Sequence, residues 1–417
     1  VRRRRQLPHE VLSKVPETFA VIETAVRPAL GDGTDPKNLS LVGWSFAKAG
    51  TGSQAFFLEI GDAALSKLHQ FTPRELSNLC WVFATIRAKH PVLAKTAEKL
   101  TDVNEQVELE GEHNISSITW AFAVLKMRDS KLFQCAGAAA EKYMHQFTMQ
   151  GVATVTWAFA SVREQAVFAP AAMSRVESGG AWKQLEPRGC AMLLWSLAAL
   201  RHNSDRAELF FRFVGDRCIV PRIEHFRAQD VSNCVWAFAT ARFTHQAGIS
   251  ALTKRASETI ENFNHQSLAN AVWGCAKLRL PAPSLFEAAV AETLRRPIRS
   301  WPAQALATLF WSCAEVGRRP LELLEPLNME LQARPRAFND LDLATLVTSL
   351  SAGGNARTEG EWEGEAKANR RLLLSRIAGE AKLRDLPLTQ DALAFRGGDK
   401  QTDGRSALPE LSSNDSS

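Results

Sequence analysis

The stretch DVSNCVWAFATAR, residues 230–242, decides the fold because versions of it recur along the chain. ELSNLCWVFATIR occupies residues 75–87 and SLANAVWGCAKLR occupies residues 267–279. Each version centres on a tryptophan. Eight such tryptophans follow one another at intervals of 37 to 41 residues: Trp44, Trp81, Trp120, Trp157, Trp195, Trp236, Trp273 and Trp311. Self-similarity at this period is typical of a helical-repeat solenoid.

Each repeat is predicted to contain two helices, with the tryptophan on the second, helix B. Thr or Asn often stands nine residues before the tryptophan, where an N-cap side chain would accept a backbone N–H. These candidate caps are Thr72, Thr148, Asn264 and Asn339. A ninth copy, DLATLVTSL at 342–350, carries Thr348 in the tryptophan position. We therefore predict an all-α fold, a right-handed α-solenoid of about nine helix pairs over residues 15–352.

Positions within a repeat are counted from the tryptophan as zero. At about 100° per residue, positions −5, −2, −1, +2 and +5 share one side of helix B and are apolar. Small residues at −4 and +3 bracket the tryptophan. The eight tryptophans are therefore predicted to form the structural core of the repeats. Stacking of the indole rings on single-stranded bases is the alternative.

Positions −7, −3, +1 and +4 are predicted to form a polar arc. Short amide and hydroxyl side chains dominate it, offering donors and acceptors together. We predict that it reads RNA bases through Arg74, Asn78, Gln150, Thr154, Arg188, Gln229, Asn233, Gln266, Asn270, Gln304 and Thr308. Ordinary solvated surface is the alternative interpretation.

Position +6 is basic in six consecutive copies. The residues are Arg87, Lys126, Arg163, Arg201, Arg242 and Arg279. Gly50, Gly317 and Gly354 hold the position at the two ends. This position is predicted to fall in the C-cap region, where a cation can satisfy the last carbonyls and the negative end of the helix dipole. The second predicted role, compatible with the first, is contact with RNA phosphates.

The composition of the 417 residues favours a binding protein over an enzyme. Net charge is +5, which permits an anionic partner. The seven cysteines are odd in number and lack a CxxC pair, and most lie on apolar helix faces, which predicts buried thiols. No metal-ligand spacing, Gly-rich phosphate loop or nucleophile motif occurs, so we expect no catalytic residues, metal or cofactor. No apolar run is long enough to span a membrane.

The Trp-centred phrase resembles the octotricopeptide repeat, whose units of about 38 residues end in a phrase like DLANxLWALAxLG. It is also similar to the repeats of FAST-kinase-domain-like proteins. The resemblance covers residues 15–352 and implies binding of single-stranded RNA in mitochondria or chloroplasts, in processing, stability or translation of transcripts. Two features depart from the family: a basic residue replaces the terminal Gly in six copies, and the Pro-rich opening of the family unit is mostly absent. No RAP domain is visible, so no catalytic role is carried over.

The regions outside the repeats are assigned separately. Residues 1–14 begin VRRRRQLPHE without Met and are predicted to be a truncated basic segment. Residues 353–383 are predicted to cap the last repeat, since a terminal repeat needs a cover, and 384–417 to be disordered. The predicted partners are single-stranded RNA and other RNA-processing proteins. A protein-interaction scaffold is the alternative, and weak salt dependence of binding would distinguish it.

Overall fold

The computed structural model describes residues 9–31, 33–102, 109–280, 282–351, 364–384 and 386. Within these residues every regular element is a helix and no strand occurs, so the all-α prediction is confirmed. The Arg run at 2–5, Gly354 and the tail from 387 onward lie outside the described residues.

The described helices belong to two compact units, which meet in the chain at Gln184 and Leu185. The first unit contains α1 (His9–Val26), α2 (Pro36–Ala49), α3 (Gln54–Leu65), α4 (Pro73–Thr85), α5 (Pro91–Thr101), α6 (Glu112–Val124), α7 (Ser130–Tyr143), α8 (Met149–Val162) and α9 (Ala169–Glu177). Helix α1 therefore begins inside residues 1–14, which were predicted to be a truncated basic segment. Short 3₁₀ segments lie at Arg27–Ala29, Leu68–Gln70, Met144–Gln146 and Ser178–Gln184.

The second unit repeats the same pattern. Its helices are α10 (Pro187–Ala199), α11 (Asp205–Val214), α12 (Ala228–Ala241), α13 (Gln246–Glu258), α14 (His265–Lys277), α15 (Pro283–Arg295), α16 (Ala303–Glu315), α17 (Leu324–Ala333), α18 (Asp340–Ser351) and α19 (Gly364–Leu383). A π-helical turn occupies Gly215–Ile219. The 3₁₀ segments are Val220–His225, Ile260–Asn262, Ile298–Ser300, Leu321–Leu323 and Pro335–Ala337.

The even-numbered helices from α2 to α18 are the predicted B helices, and within each unit they pack side by side in chain order. In the first unit α2, α4, α6 and α8 form this layer, and in the second α10, α12, α14, α16 and α18. Equivalent positions lie next to one another: the rings of Trp236 and Trp273, both at position zero, have centroids 6.4 Å apart. Neighbouring B helices therefore run parallel and in register, as a helical repeat requires.

The N-caps fall where the sequence predicts them. Thr72 Oγ1 accepts the Glu75 N–H while the Glu75 carboxylate accepts the Thr72 N–H, forming a capping box. The other three predicted caps each accept an N–H three residues on: Thr148 from Gly151, Asn264 from Ser267 and Asn339 from Asp342. Local chemistry thus sets the first turn of these four B helices.

The predicted apolar positions form the core, with one correction. In the sixth copy the five apolar positions, Val231, Cys234, Val235, Phe238 and Ala241, are all buried. Position +1 was predicted to lie on the polar arc, but Ala237 is completely buried. The reason is the register described above, because +1 faces the neighbouring B helix. The polar arc is therefore narrower than predicted.

A second set of basic residues ties each repeat to the one before it. These side chains come from the last part of an A helix, or just after it, and donate to backbone carbonyls of the preceding repeat: Lys67 to Gly31, Lys99 to His69, Arg255 to Glu224, Arg296 to Glu261, Arg334 to Trp301 and Arg384 to Phe338. We call them the clasp residues. All six are buried or half-buried, so their charged groups stabilise the fold through these hydrogen bonds.

Helix α19 packs against α17 and α18. Leu373, Ile377 and Ala381 are buried in that contact, whereas Leu372 stays 46% exposed. Arg384, which follows α19, supplies the clasp for the last repeat. Residues 364–383 therefore cover α17 and α18 within the second unit.

Candidate nucleic-acid interface

Within each unit the B helices present a half-exposed strip formed by positions −7, −3, 0 and +4. These positions fall within about 60° of one another on a helix with 3.6 residues per turn. None of the eleven predicted base-reading residues is fully buried. Arg74, Asn78, Gln150 and Thr154 lie in the first unit. Arg188, Gln229, Asn233, Gln266, Asn270, Gln304 and Thr308 lie in the second.

The amides of the strip differ in their hydrogen bonding. In the seventh copy Gln266 Nε2 donates to Asn270 Oδ1 at 3.0 Å, so this pair partly satisfies itself. In the sixth copy, Gln229 and Asn233 make no side-chain hydrogen bond to any residue that the structure describes. Half-buried amides without protein partners retain donors and acceptors for a ligand.

A histidine extends the strip in the first unit. His113 occupies position −7 of the third copy, and its Nε2 lies 3.4 Å from Asn78 Oδ1 of the second copy. Partial desolvation and then the positive charge of Arg74 lower the pKa of His113 below its usual 6.5. The imidazole is therefore neutral at pH 7 and has one donor and one acceptor. The sequence analysis selected amides and arginines at position −7, and it therefore did not include this histidine.

Arg188 on the strip interacts electrostatically with the buried carboxyl group of Asp230. Asp230 accepts the backbone N–H of Arg227 at 3.1 Å. Burial raises the pKa of Asp230, while that hydrogen bond and the charges of Arg227 and Arg188 act against the rise. The positive charge of Arg188 therefore partly stabilises the Asp230 carboxylate, and Arg188 is less available to a ligand than the amides beside it.

The tryptophans lie on this strip. Trp157 and Trp195 are buried, but the other six are only half-buried, where a core position was predicted. Successive rings are stacked or tilted against one another, with centroid distances of 6.1 Å for Trp44–Trp81, 6.5 Å for Trp81–Trp120, 5.8 Å for Trp195–Trp236 and 6.4 Å for Trp236–Trp273. We call each row a Trp ladder. It both joins repeats and offers indole surface beside the amides.

Lys277 is a second strip residue that the sequence analysis did not single out. Lys277, at position +4 of the seventh copy, places its ammonium 6.0 Å from the ring centre of Trp273 and 5.2 Å from that of Trp311. These distances fall within the range of cation–π contacts. A lysine four residues after a repeat tryptophan is the signal that would have found it.

The +6 residues end their helices in an unusual backbone conformation. Their φ angles are 52° to 60°, and they are the only non-glycine residues with positive φ in the described part of the chain. This left-handed conformation costs an L-residue roughly 1–2 kcal/mol. Gly50 and Gly317 adopt it at the two ends with φ of 67° and 77°. The predicted C-cap location is confirmed, and glycine is the residue that the backbone prefers there.

Backbone amides already satisfy the carbonyls at these helix ends. The Arg242 N–H donates to Ala239 O at 3.3 Å and the Phe243 N–H donates to Phe238 O at 3.1 Å, the two bonds of a Schellman motif. The same pair of bonds recurs at every other +6 position, including Gly50 and Gly317. All six basic side chains are exposed. Those of Arg87, Lys126 and Arg279 contact no partner among the described residues.

Among the described residues, no group of three or more His, Cys, Asp or Glu side chains is arranged to hold a metal ion. No described helix has the length and apolar character needed to cross a membrane.

Comparison with known families gives one result. Residues 32–283 match a family model described as RNA-editing substrate-binding complex 6 protein, RESC6. The match covers more than half of the chain and includes the first seven copies of the repeat. It supports an RNA-processing helical-repeat family and does not extend to the octotricopeptide or FAST-kinase families. A search of the curated proteins found no match.

Proposed function

Because the chain belongs to the family of RNA-editing substrate-binding complex 6 proteins, we propose that it binds single-stranded RNA directly, as part of an RNA-processing assembly. The observation that carries this proposal is the half-exposed strip, which places short hydrogen-bonding side chains at the same positions of successive B helices. The family takes its name from an RNA-editing substrate-binding complex, which supports RNA and protein partners for this chain.

The chemistry of the strip suits unpaired bases. Sequence-selective proteins recognise single-stranded RNA by hydrogen bonds to exposed base edges and by stacking on flat side chains. Gln229 and Asn233 each present a donor and an acceptor that have no partner among the described residues. The half-buried ring of Trp236 lies on the same strip. We therefore assign base contacts to positions −7 and −3, about one nucleotide per repeat.

The role that we propose is recognition without catalysis. The strip contains amides, hydroxyls, indoles and cations, which bind RNA, and we assign it no general base or nucleophile. The likeness of the Trp phrase to the octotricopeptide repeat supports a finer proposal, that the protein acts on transcripts in a mitochondrion or chloroplast. Cell fractionation followed by sequencing of crosslinked RNA tests this part.

Replacing the sixth-copy amides tests the base contacts. We expect Gln229→Ala with Asn233→Ala to change sequence preference at about one nucleotide, because the donors and acceptors that discriminate bases are lost while phosphate contacts remain. The measurement is selection from a randomised single-stranded RNA pool at two salt concentrations. The salt dependence of the affinity should stay nearly unchanged.

Gln246→Ala provides the matched control. Gln246 is an exposed amide of the next copy, on helix A (α13) rather than in the B layer, and its loss should leave the selected sequences as they were. Absence of RNA binding by the unaltered protein at low salt would overturn the proposed function. An unchanged preference in the double variant would remove the base-reading assignment from this strip.

A protein-interaction scaffold is the second candidate, and a separate observation favours it. Leu209 on α11 and Met329 on α17 are 61% and 63% exposed. Exposed apolar side chains on A helices are suited to a protein partner. Binding that persists at high salt, and that needs these residues rather than the strip, would favour this candidate.

A further inference from the structure

The left-handed conformation at position +6 raises a question about residue choice. Gly50 and Gly317 make the same Schellman bonds as the basic residues, so the helix end is formed equally well with glycine. Six consecutive copies nevertheless carry Arg or Lys there. Where backbone conformation alone decides, glycine and then asparagine are the expected residues. Something other than the backbone therefore selects a cation.

The composition of the chain makes chance an insufficient explanation. Lys and Arg account for 50 of 417 residues, roughly one in eight. Cations at all six of the internal +6 positions are far above that frequency. A residue kept in a disfavoured backbone conformation points to a function that the side chain performs.

Hydrogen bonding of the terminal carbonyls does not require the positive charge either. The terminal carbonyls at +2 and +3 accept backbone N–H groups, as at Ala239 and Phe238. The clasp residues show how this protein uses a cation for structure: Arg334, for example, donates to Trp301 O at 2.8 Å and is half-buried. The +6 side chains are exposed instead, and those of Arg87, Lys126 and Arg279 reach no described partner. The clasp residues are therefore buried or half-buried, whereas the +6 side chains are exposed.

The packing of the B layer arranges the +6 residues in rows. Because neighbouring B helices are parallel and in register, equivalent residues of successive helices lie next to one another. In the first unit the row runs Gly50, Arg87, Lys126, Arg163, and in the second it runs Arg201, Arg242, Arg279, Gly317. Each row therefore offers up to three cations at one edge of its B layer, one per repeat.

We propose that the six basic residues at position +6, which we call the +6 column, bind the phosphodiester backbone of single-stranded RNA. This role explains why cations occupy a position at which the backbone conformation prefers glycine. This inference rests on the proposed function and assigns the part of it that does not depend on base identity. One cation per repeat matches a single strand that is read at about one nucleotide per repeat.

The test replaces Arg201 and Arg242 in two ways. Arg201→Gly with Arg242→Gly removes both charges and relieves the left-handed strain, whereas Arg201→Gln with Arg242→Gln removes the charges and keeps the strain. Both variants should bind all single-stranded RNAs less tightly. The slope of log affinity against log salt should fall by about 1.4, from about 0.7 per phosphate contact. The melting temperature of the glycine variant should not drop below that of the unaltered protein.

The control removes two charges elsewhere in the same unit. Arg212→Gln with Lys254→Gln acts on exposed side chains of α11 and α13 and should leave the slope unchanged. An equal fall in the control would show a general charge effect and overturn the inference. So would a glycine variant that melts earlier but keeps the slope, since the cations would then be structural. Failure of the unaltered protein to bind RNA would instead overturn the proposed function.

Discussion

Trp236 lies between two other indoles, with its ring centroid 5.8 Å from that of Trp195 and 6.4 Å from that of Trp273. Its ring remains half-buried because positions −7, −3 and +4 of the same helix are also open. Offset stacking of aromatic rings stabilises beyond the area that is buried. The residue therefore has two uses, joining repeats and presenting a flat surface on the strip.

We expect Trp236→Ala to lower the free energy of unfolding by about 2–3 kcal/mol. Full burial of a large aromatic makes the loss about 3–5 kcal/mol, and half-burial reduces it. Urea denaturation followed by circular dichroism measures the change. Trp236→Phe is the control, because it keeps a ring between Trp195 and Trp273 and should recover most of the stability. A Trp236→Ala variant that unfolds like the unaltered protein yet loses RNA binding would show that stacking on bases is the principal role.

Helices α14 and α12 approach each other closely at Gly274. A Cβ on Gly274 would lie 2.6 Å from Val235 Cγ1 and 3.0 Å from the Val235 carbonyl oxygen. Real Cβ contacts are not that short, so one of the two helices would have to move. In α2, by contrast, a Cβ on Gly43 would meet Val82 Cγ2 at an ordinary 3.5 Å. The spacing between B helices thus depends on which small residue stands at the contact.

Gly274→Ala is expected to destabilise the protein by about 1–3 kcal/mol, as overpacking of a filled contact does. Gly43→Ala is the matched control in another B helix. It should be neutral or slightly stabilising, because alanine favours the helix and its methyl group fits. Thermal melting of the two variants measures the difference. Equal melting temperatures would mean that α12 and α14 can separate without loss.

The burial of the cysteines along the whole chain shows how completely the repeats are packed. Six of the seven are buried and Cys135 is exposed. Burial raises the pKa of Cys80, Cys275 and Cys313 from 9 to about 12. The Cys190 thiol lowers the pKa of Cys218, and Arg222 contributes to that fall, but Cys218 is fully buried. Reactivity toward a thiol reagent needs both the thiolate and access to it.

We therefore expect one fast-reacting thiol in the native protein at pH 8 and seven after unfolding in urea. Ellman's reagent counts both. Cys135→Ser should abolish the fast reaction and leave the unfolded total at six. Two or more fast thiols in the native protein would show that a unit opens at its buried face on the timescale of the assay.

Local patterns in the sequence were sufficient to predict the repeated helices and the residues at which the B helices begin and end. The tryptophan interval, the four N-caps and the C-cap position all follow from interactions between residues a few positions apart. The strip was predicted only in part. The angles of a single helix put Gln229, Asn233 and Ala237 on one arc, but they do not say which side a neighbouring helix covers.

The sequence by itself determined an all-α repeat with known helix boundaries, because periodicity and capping are local properties of the chain. Only the tertiary structure decided that Ala237 is buried and that Trp236 is half-open, since burial depends on where the next B helix lies. It also separated the clasp cation Arg334 from the exposed Arg242. Both are arginines in a repeating pattern, and their different burial follows from where the neighbouring repeats lie.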